Sequence, residues 1–240
     1  STYRGFKPWE NPQRAVPEIL EINPAGVVIC GDASRLEGKV EDYRELRLLL
    51  TPLINSMAVH IGLGNHDDRS AFLSVFNDLS TPRAPLQNKY VTVLEHAAVQ
   101  IVVLDSLLFP NKTPGYLGRD QRTWLASFLS SGSNKPVALF LHHTLGDGDG
   151  ELLDSDRLLG LVRRHRRVKA VFFGHSHEWH VGRDQSIALI NLPALGYNFK
   201  DSEPVGWVEA SFESSGVTLQ LHPLACTNSW SSQTVQVAWT

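Results

Sequence analysis

At 240 residues, with 42% hydrophobic and 20% charged side chains, the chain is long enough to bury a sizeable core. Its net charge of -3 lacks the basic footprint of nonspecific nucleic-acid binding, so nucleic acid is not expected as a binding partner. The longest apolar candidate, Val99 to Phe109, is cut by Asp105 and falls short of the roughly 18 residues of a membrane span, so a soluble protein without a membrane partner is expected.

No linker tract or internal repeat interrupts the chain, and a single domain over 1–240 is expected. No signal peptide is visible, which makes a cytoplasmic location the default. The chain opens on Ser1 and its only methionine is Met57, so an N-terminally incomplete domain is also expected. Cys30 and Cys226 are far apart in sequence, and Cys30 reads as a small core residue rather than a nucleophile.

In chain order, residues 12–22 read as a helix ended by Asn23-Pro24, and 27–30 as a strand. Residues 39–50 form the clearest amphipathic helix, with Val40, Tyr43, Leu46, Leu49 and Leu50 on its inner face. Helices are expected over 69–79 and 121–130, the second closed by Gly132, and strands over 90–94 and 99–104. Ser155 is the expected cap of a helix running to about Arg167, whose basic last turn, Arg163 to Arg167, complements the helix dipole. After Val181 come short β segments, 187–191, 205–212, 217–222 and 234–239, expected to form an antiparallel second sheet.

Four polar motifs each follow an apolar run. Val27-Val28-Ile29-Cys30 leads into Gly31-Asp32, and Val59 to Leu63 into Gly64-Asn65-His66-Asp67; Val137 to Leu141 leads into His142-His143, and Ala170 to Phe173 into Gly174-His175-Ser176-His177. Such runs predict strands buried on both faces, and ligands of open α/β sheets bind beyond the carboxyl ends of strands. Asp32, Asn65, His142, His175 and His177 then form a mixed N/O ligand set suited to Mn, Fe, Zn or Co, with no thiolate to suggest structural zinc. Glycines before Asp32, Asn65 and His175 are expected to let the backbone turn sharply. Alone, Gly-Asp is a turn and a His-His pair is more often structural. The conjunction in one order carries the metal-site reading.

With these motifs, the chain resembles the calcineurin-like metallophosphoesterase superfamily, whose series runs Asp-x-His, Gly-Asp-x-x-Asp, Gly-Asn-His-(Asp/Glu), His, Gly-His-x-His. The resemblance implies an α/β fold, a four-layer αββα sandwich with a dinuclear site. It makes Asp32 the bridging carboxylate, assigns Asn65, His142 and His175 to the second metal, and gives His177 to the first. His66 becomes the acid that protonates the leaving oxygen, oriented by Asp67. The implied reaction is hydrolysis of a small-molecule phosphodiester or phosphomonoester by a metal-bound hydroxide.

Two departures stand out. Arg35 occupies the place of the second Asp of the Gly-Asp motif, and no Asp or His precedes Asp32, so Asp-x-His is missing and the first strand is expected to be absent. One tightly held divalent ion is therefore expected, with the other site weak or empty. The unpaired edge needs another segment, the nearest being Thr234 to Trp239, or a strand-edge partner. The rival readings are a binding scaffold that has lost hydrolysis and a single-metal esterase.

Overall fold

The computed structural model describes residues 3–79, 81–131, 133–225 and 233–240; Cys226 and Gly132 lie outside them. The amphipathic stretches form helices α1 (Glu10–Ile22), α2 (Val40–Ser56), α3 (Arg69–Phe76), α4 (Arg119–Ser130) and α5 (Ser155–Val162). Helix α2 runs through Pro52 to Ser56, past the expected end at Leu50, because its apolar stripe continues into the buried Leu53. Helix α3 is capped by Asp68, whose carboxylate accepts from Ala71 N at 2.8 Å. An Asp68→Ala variant is expected to lose about 1 kcal/mol. Calorimetry should then show a melting point lowered by roughly 2–4 °C.

A parallel pair, β1 (Gly26–Ile29) and β2 (Ala58–Ile61), precedes the main sheet. That sheet contains β3 (Thr92–Glu95), β4 (Gln100–Val103), β5 (Val137–Phe140), β6 (Val168–Phe173), β7 (His180–Asp184) and β8 (Ile187–Asn191), ordered β3-β4-β5-β6-β8-β7. A third sheet, ordered β11-β10-β9, is antiparallel and comprises β9 (Val205–Glu213), β10 (Gly216–Ala225) and β11 (Thr234–Ala238).

The buried runs of β5 and β6 serve two cores by alternation, with a register shift between Val168 and Ala170 changing the phase of β6. Val137, Leu139, Val168 and Val171 face Leu125 and Leu129 of α4 and Leu158 and Val162 of α5. Ala138, Phe140, Ala170 and Phe172 face Val217, Leu219 and Leu221 of β10 and Val237 of β11. On the far side of that sheet, Trp207 stacks on His222 and donates to Glu18 of α1 at 3.1 Å. Helix, sheet, sheet and helix follow in that order, which is the expected αββα layering. A third core packs Tyr43, Leu53, Phe72 and Phe76 against Val59 and Ile61 of β2.

Several expectations need correcting. Residues 187–191 pair in parallel with β6 and antiparallel with β7, so β8 belongs to the main sheet. Its short apolar run reads the same in either sheet. Ser155 does not cap α5: its hydroxyl is buried without a hydrogen-bond partner. The preceding Asp154 instead accepts from Leu117 N and Gly118 N, both at 3.0 Å, tying α5 to the start of α4. Because α5 stops at Val162, the basic run lies beyond it. Arg167 donates to Leu129 O at 3.0 Å and so complements the C-terminus of α4, while Arg163 pairs with Asp184.

Strand β1 is only half-buried along its four residues rather than enclosed, and among the described residues it pairs with β2 alone. The C-terminal segment does not fill its open edge. As β11 it pairs with β10, placing Val237 opposite Val217. Cys30 is a free, half-buried cysteine packed against the core between the sheets, and burial pushes its thiol up to about 12. No helix among the described residues is long and apolar enough to cross a membrane.

Candidate metal centre

The loops after β1, β2, β5 and β6 meet at one rim because the strands they follow end there. His142, after β5, places Nδ1 3.1 Å from the Cys30 carbonyl after β1. A carbonyl can only accept, which assigns the ring proton to Nδ1 and leaves a lone pair on Nε2. That Nε2 lies 3.2 Å from Asn65 Oδ1, 3.2 Å from His175 Nδ1 and 3.4 Å from Asp32 Oδ2. A carboxylate oxygen, an amide oxygen and an imidazole nitrogen therefore converge on the lone pair of His142 Nε2. These acceptors repel one another unless a cation lies among them, and the set fits a divalent transition ion.

Burial, followed by the neighbouring His142, pulls His175 down to about 4, and burial pulls His177 to about 4 as well. Both rings are thereby kept in the neutral form that ligation requires. His177 stands apart from the other four. Its Nδ1 is buried without a hydrogen-bond partner, and its ring stacks on Phe199 at 4.2 Å. Arg35, in the place of the second Asp of the Gly-Asp motif, pairs with Asp42 at 3.2 Å.

The backbone strain lies on the candidate ligand residues more than on the glycines before them. Asp32, His175 and His177 have φ of 52°, 71° and 57°, in the left-handed region that non-glycine residues seldom occupy. Gly31, at φ 111°, is required on both counts: a Cβ there would lie 2.7 Å from Gly64 N and 2.8 Å from His142 Nδ1. Gly64 keeps a negative φ but has no room for a Cβ beside Asp32. Gly174 meets neither condition.

His66 and Asp67 do not form the expected pair. His66 Nδ1 lies 3.1 Å from the Leu36 carbonyl, which orients the ring. Asp67 accepts from Gly64 N at 2.8 Å, Ala33 N at 3.2 Å, Ser34 N at 3.0 Å and Tyr43 Oη at 3.0 Å. It clamps the Asp32 loop to the Asn65 loop. Burial and the nearby Asp32 carboxylate push Asp67 up to about 7, against the pull of these donors. The carboxylate turns inward because backbone N–H groups buried where two loops cross need an acceptor more than an imidazole at the surface does.

Sequence reasoning missed His143, Ser106 and Tyr43. His143 is fully buried, its Nδ1 2.8 Å from Ser106 Oγ, and its potential ligand atom lies within 4.8 Å of those of His142 and His175. Only its adjacency to His142 hinted at this. Tyr43 appeared simply as part of an apolar helix face, although its hydroxyl reaches Asp67.

The family model described as calcineurin-like phosphoesterase matches residues 6–179. The chain belongs to this family. This calcineurin-like chain is 28% identical over 195 residues to the glycerophosphodiester phosphodiesterase GpdQ of Enterobacter lignolyticus, covering 77% of this chain and 69% of that one. It is 30% identical over 173 residues to a cAMP/cGMP dual specificity phosphodiesterase of Mycobacterium tuberculosis, covering 67% of this chain but only 52% of that relative, about half its length. In fold it is similar to a dimetal phosphatase from Danio rerio, with a TM-score of 0.74, 14% identity and coverage of 96% of this chain and 89% of that one.

Proposed function

We propose that this chain hydrolyses small-molecule phosphodiesters at the centre formed by Asp32, Asn65, His142 and His175, which would hold one divalent ion, Mn, Fe or Zn. The observation that carries this reading is the convergence of Asp32 Oδ2, Asn65 Oδ1 and His175 Nδ1 within 3.2–3.4 Å of His142 Nε2, whose ring proton lies on the opposite nitrogen. When bound, the ion would polarise the phosphoryl oxygens and lower the pKa of a water molecule. Asp32 and His177 are the groups available to a second, weaker ion. The preference for diesters draws on the activities for which the two similar curated proteins are named.

The chain's own groups supply orientation and a proton. The Leu36 carbonyl holds Nδ1–H of His66, which leaves Nε2 free to carry a proton to the departing alkoxide. The Asp67 clamp keeps His66 beside Asp32, to whose Oδ1 the His66 backbone N–H donates at 3.1 Å. His66→Ala should therefore slow hydrolysis of alkyl phosphodiesters on the order of 100-fold while affecting p-nitrophenyl esters less, because a good leaving group needs little protonation. Loss of metal by this variant, or equal loss on both esters, would remove His66 from the acid role.

A second reading, a binding scaffold without hydrolysis, draws on the unpartnered His177 Nδ1. Assays with p-nitrophenyl phosphate, bis-p-nitrophenyl phosphate and p-nitrophenyl acetate in added Mn²⁺ separate the readings. Turnover of the diester supports the proposal, turnover of the acetate alone favours a single-metal esterase, and no turnover favours the scaffold.

A further inference from the structure

Beside His177 lies a run of aromatic rings that metal coordination does not require. Phe199 stacks on the His177 imidazole at 4.2 Å with an interplanar angle of 14°, and Tyr197 meets the same ring at 4.8 Å and 64°. Tyr197 in turn meets Phe199 at 5.7 Å and Tyr3 at 4.5 Å. Tyr3 and Phe199 remain 50% and 46% exposed. Single exposed apolar residues need no explanation, but contiguous aromatic surface beside a cluster of polar, ligand-type side chains marks a place where something binds.

The surface is held in shape. Arg4 pairs with Asp201 at 3.2 Å, and Asn11 Nδ2 donates to Gly196 O at 3.1 Å, joining the N-terminal segment to the loop that carries Tyr197 and Phe199. Asn198 Nδ2 donates to Glu203 O at 2.7 Å, and the Glu203 carboxylate accepts from Trp179 N at 3.0 Å. Rings held this way lose little freedom when a ligand stacks on them.

We propose that Tyr3, Tyr197 and Phe199 form a wall on which a planar aromatic group of the phosphoester stacks. The substrate class is thereby narrowed to diesters carrying a ring near the phosphoryl group, either a nucleobase or an aryl group. This rests on the phosphodiesterase reading above. Flat faces discriminate for rings, because an aliphatic chain offers no π-surface to match them. The two ring sources share this chemistry and differ in polar edges, so they are compared separately.

The test compares the wild type with Tyr3→Ala and Phe199→Leu on three diesters: a nucleoside diester, bis-p-nitrophenyl phosphate and a glycerophosphodiester without a ring. Among the described ring contacts Tyr3 meets Tyr197 and not His177, so Tyr3→Ala probes the wall without removing a ring packed on that imidazole. The expected result is a loss in kcat/KM roughly tenfold larger on ring-bearing than on ring-free esters, carried by KM, from the usual strength of base stacking. Calorimetric binding of a nucleoside monophosphate should weaken by a similar factor relative to glycerol phosphate. Selective loss on the nucleoside ester alone identifies a nucleobase, and equal loss on both ring-bearing esters identifies the ring itself. Losses equal on all three esters, or none, would overturn the wall. If no diester is hydrolysed at all, the phosphodiesterase reading fails, and the binding comparison still decides whether the wall recognises a ring.

Discussion

His142→Ala is expected to abolish tight metal binding by this chain. His142 Nε2 is the atom on which Asn65, His175 and Asp32 converge, so removing it opens the centre of the set. Groups that merely support a ligand cost about 10–100-fold in metal affinity when lost, and a ligand itself should cost more than about 100-fold. Titration calorimetry with Mn²⁺ and Zn²⁺, together with metal analysis after dialysis, measures both affinity and stoichiometry. The wild-type chain should retain about one ion, because a closed site needs about four ligands and, among the described residues, Asp32 and His177 are the two assigned to a second. A His142→Ala chain that keeps its ion at wild-type affinity, or a wild-type chain with two ions at full occupancy, would show that the ligand set is wrong.

The second large effect is on stability. Asp67→Ala is expected to destabilise the fold by about 4 kcal/mol, since each buried donor left without an acceptor costs on the order of 1–3 kcal/mol and part of that is recovered by water. The melting point should fall by roughly 8–16 °C. His66→Ala, by contrast, leaves the clamp intact and should shift it little. A side chain serving only to orient His66 would show the reverse, with activity lost and the melting point unchanged.

The clamp also has a pH signature in the metal-free chain. The Asp67 carboxyl is raised from an ordinary 3.8 to about 7 in the folded state. Between those values the folded chain holds the proton more tightly than the unfolded chain. Its contribution to stability is therefore complete below about 4 and declines as pH rises to about 7. Comparing the wild type with Asp67→Ala should show the stability difference narrowing over this interval. A difference that widens with pH would mean that the four donors outweigh burial.

The sequence by itself determined the parts whose chemistry is local. The apolar runs at 137–141 and 170–173 became buried strands because uninterrupted hydrophobicity suits both faces of a sheet, and the polar motifs after them emerged at the strand ends. The stripe containing Tyr43, Leu46 and Leu50 became α2 for the equivalent reason at helical period. The family was legible in the same motifs, since their order along the chain survives without any knowledge of contacts.

Only the tertiary structure decided which groups face one another. Asp67 follows His66 directly, yet its carboxylate serves Ala33 and Ser34, 34 and 33 residues away, because loop crossings bury backbone donors that no sequence pattern reports. Residues 187–191 entered the main sheet because strand pairing is set by partners distant in sequence, whereas a short apolar run fits any buried slot. Strand β1 remained half-exposed for the complementary reason: an apolar run predicts burial only where a neighbour is present to cover it, and among the described residues only β2 pairs with it.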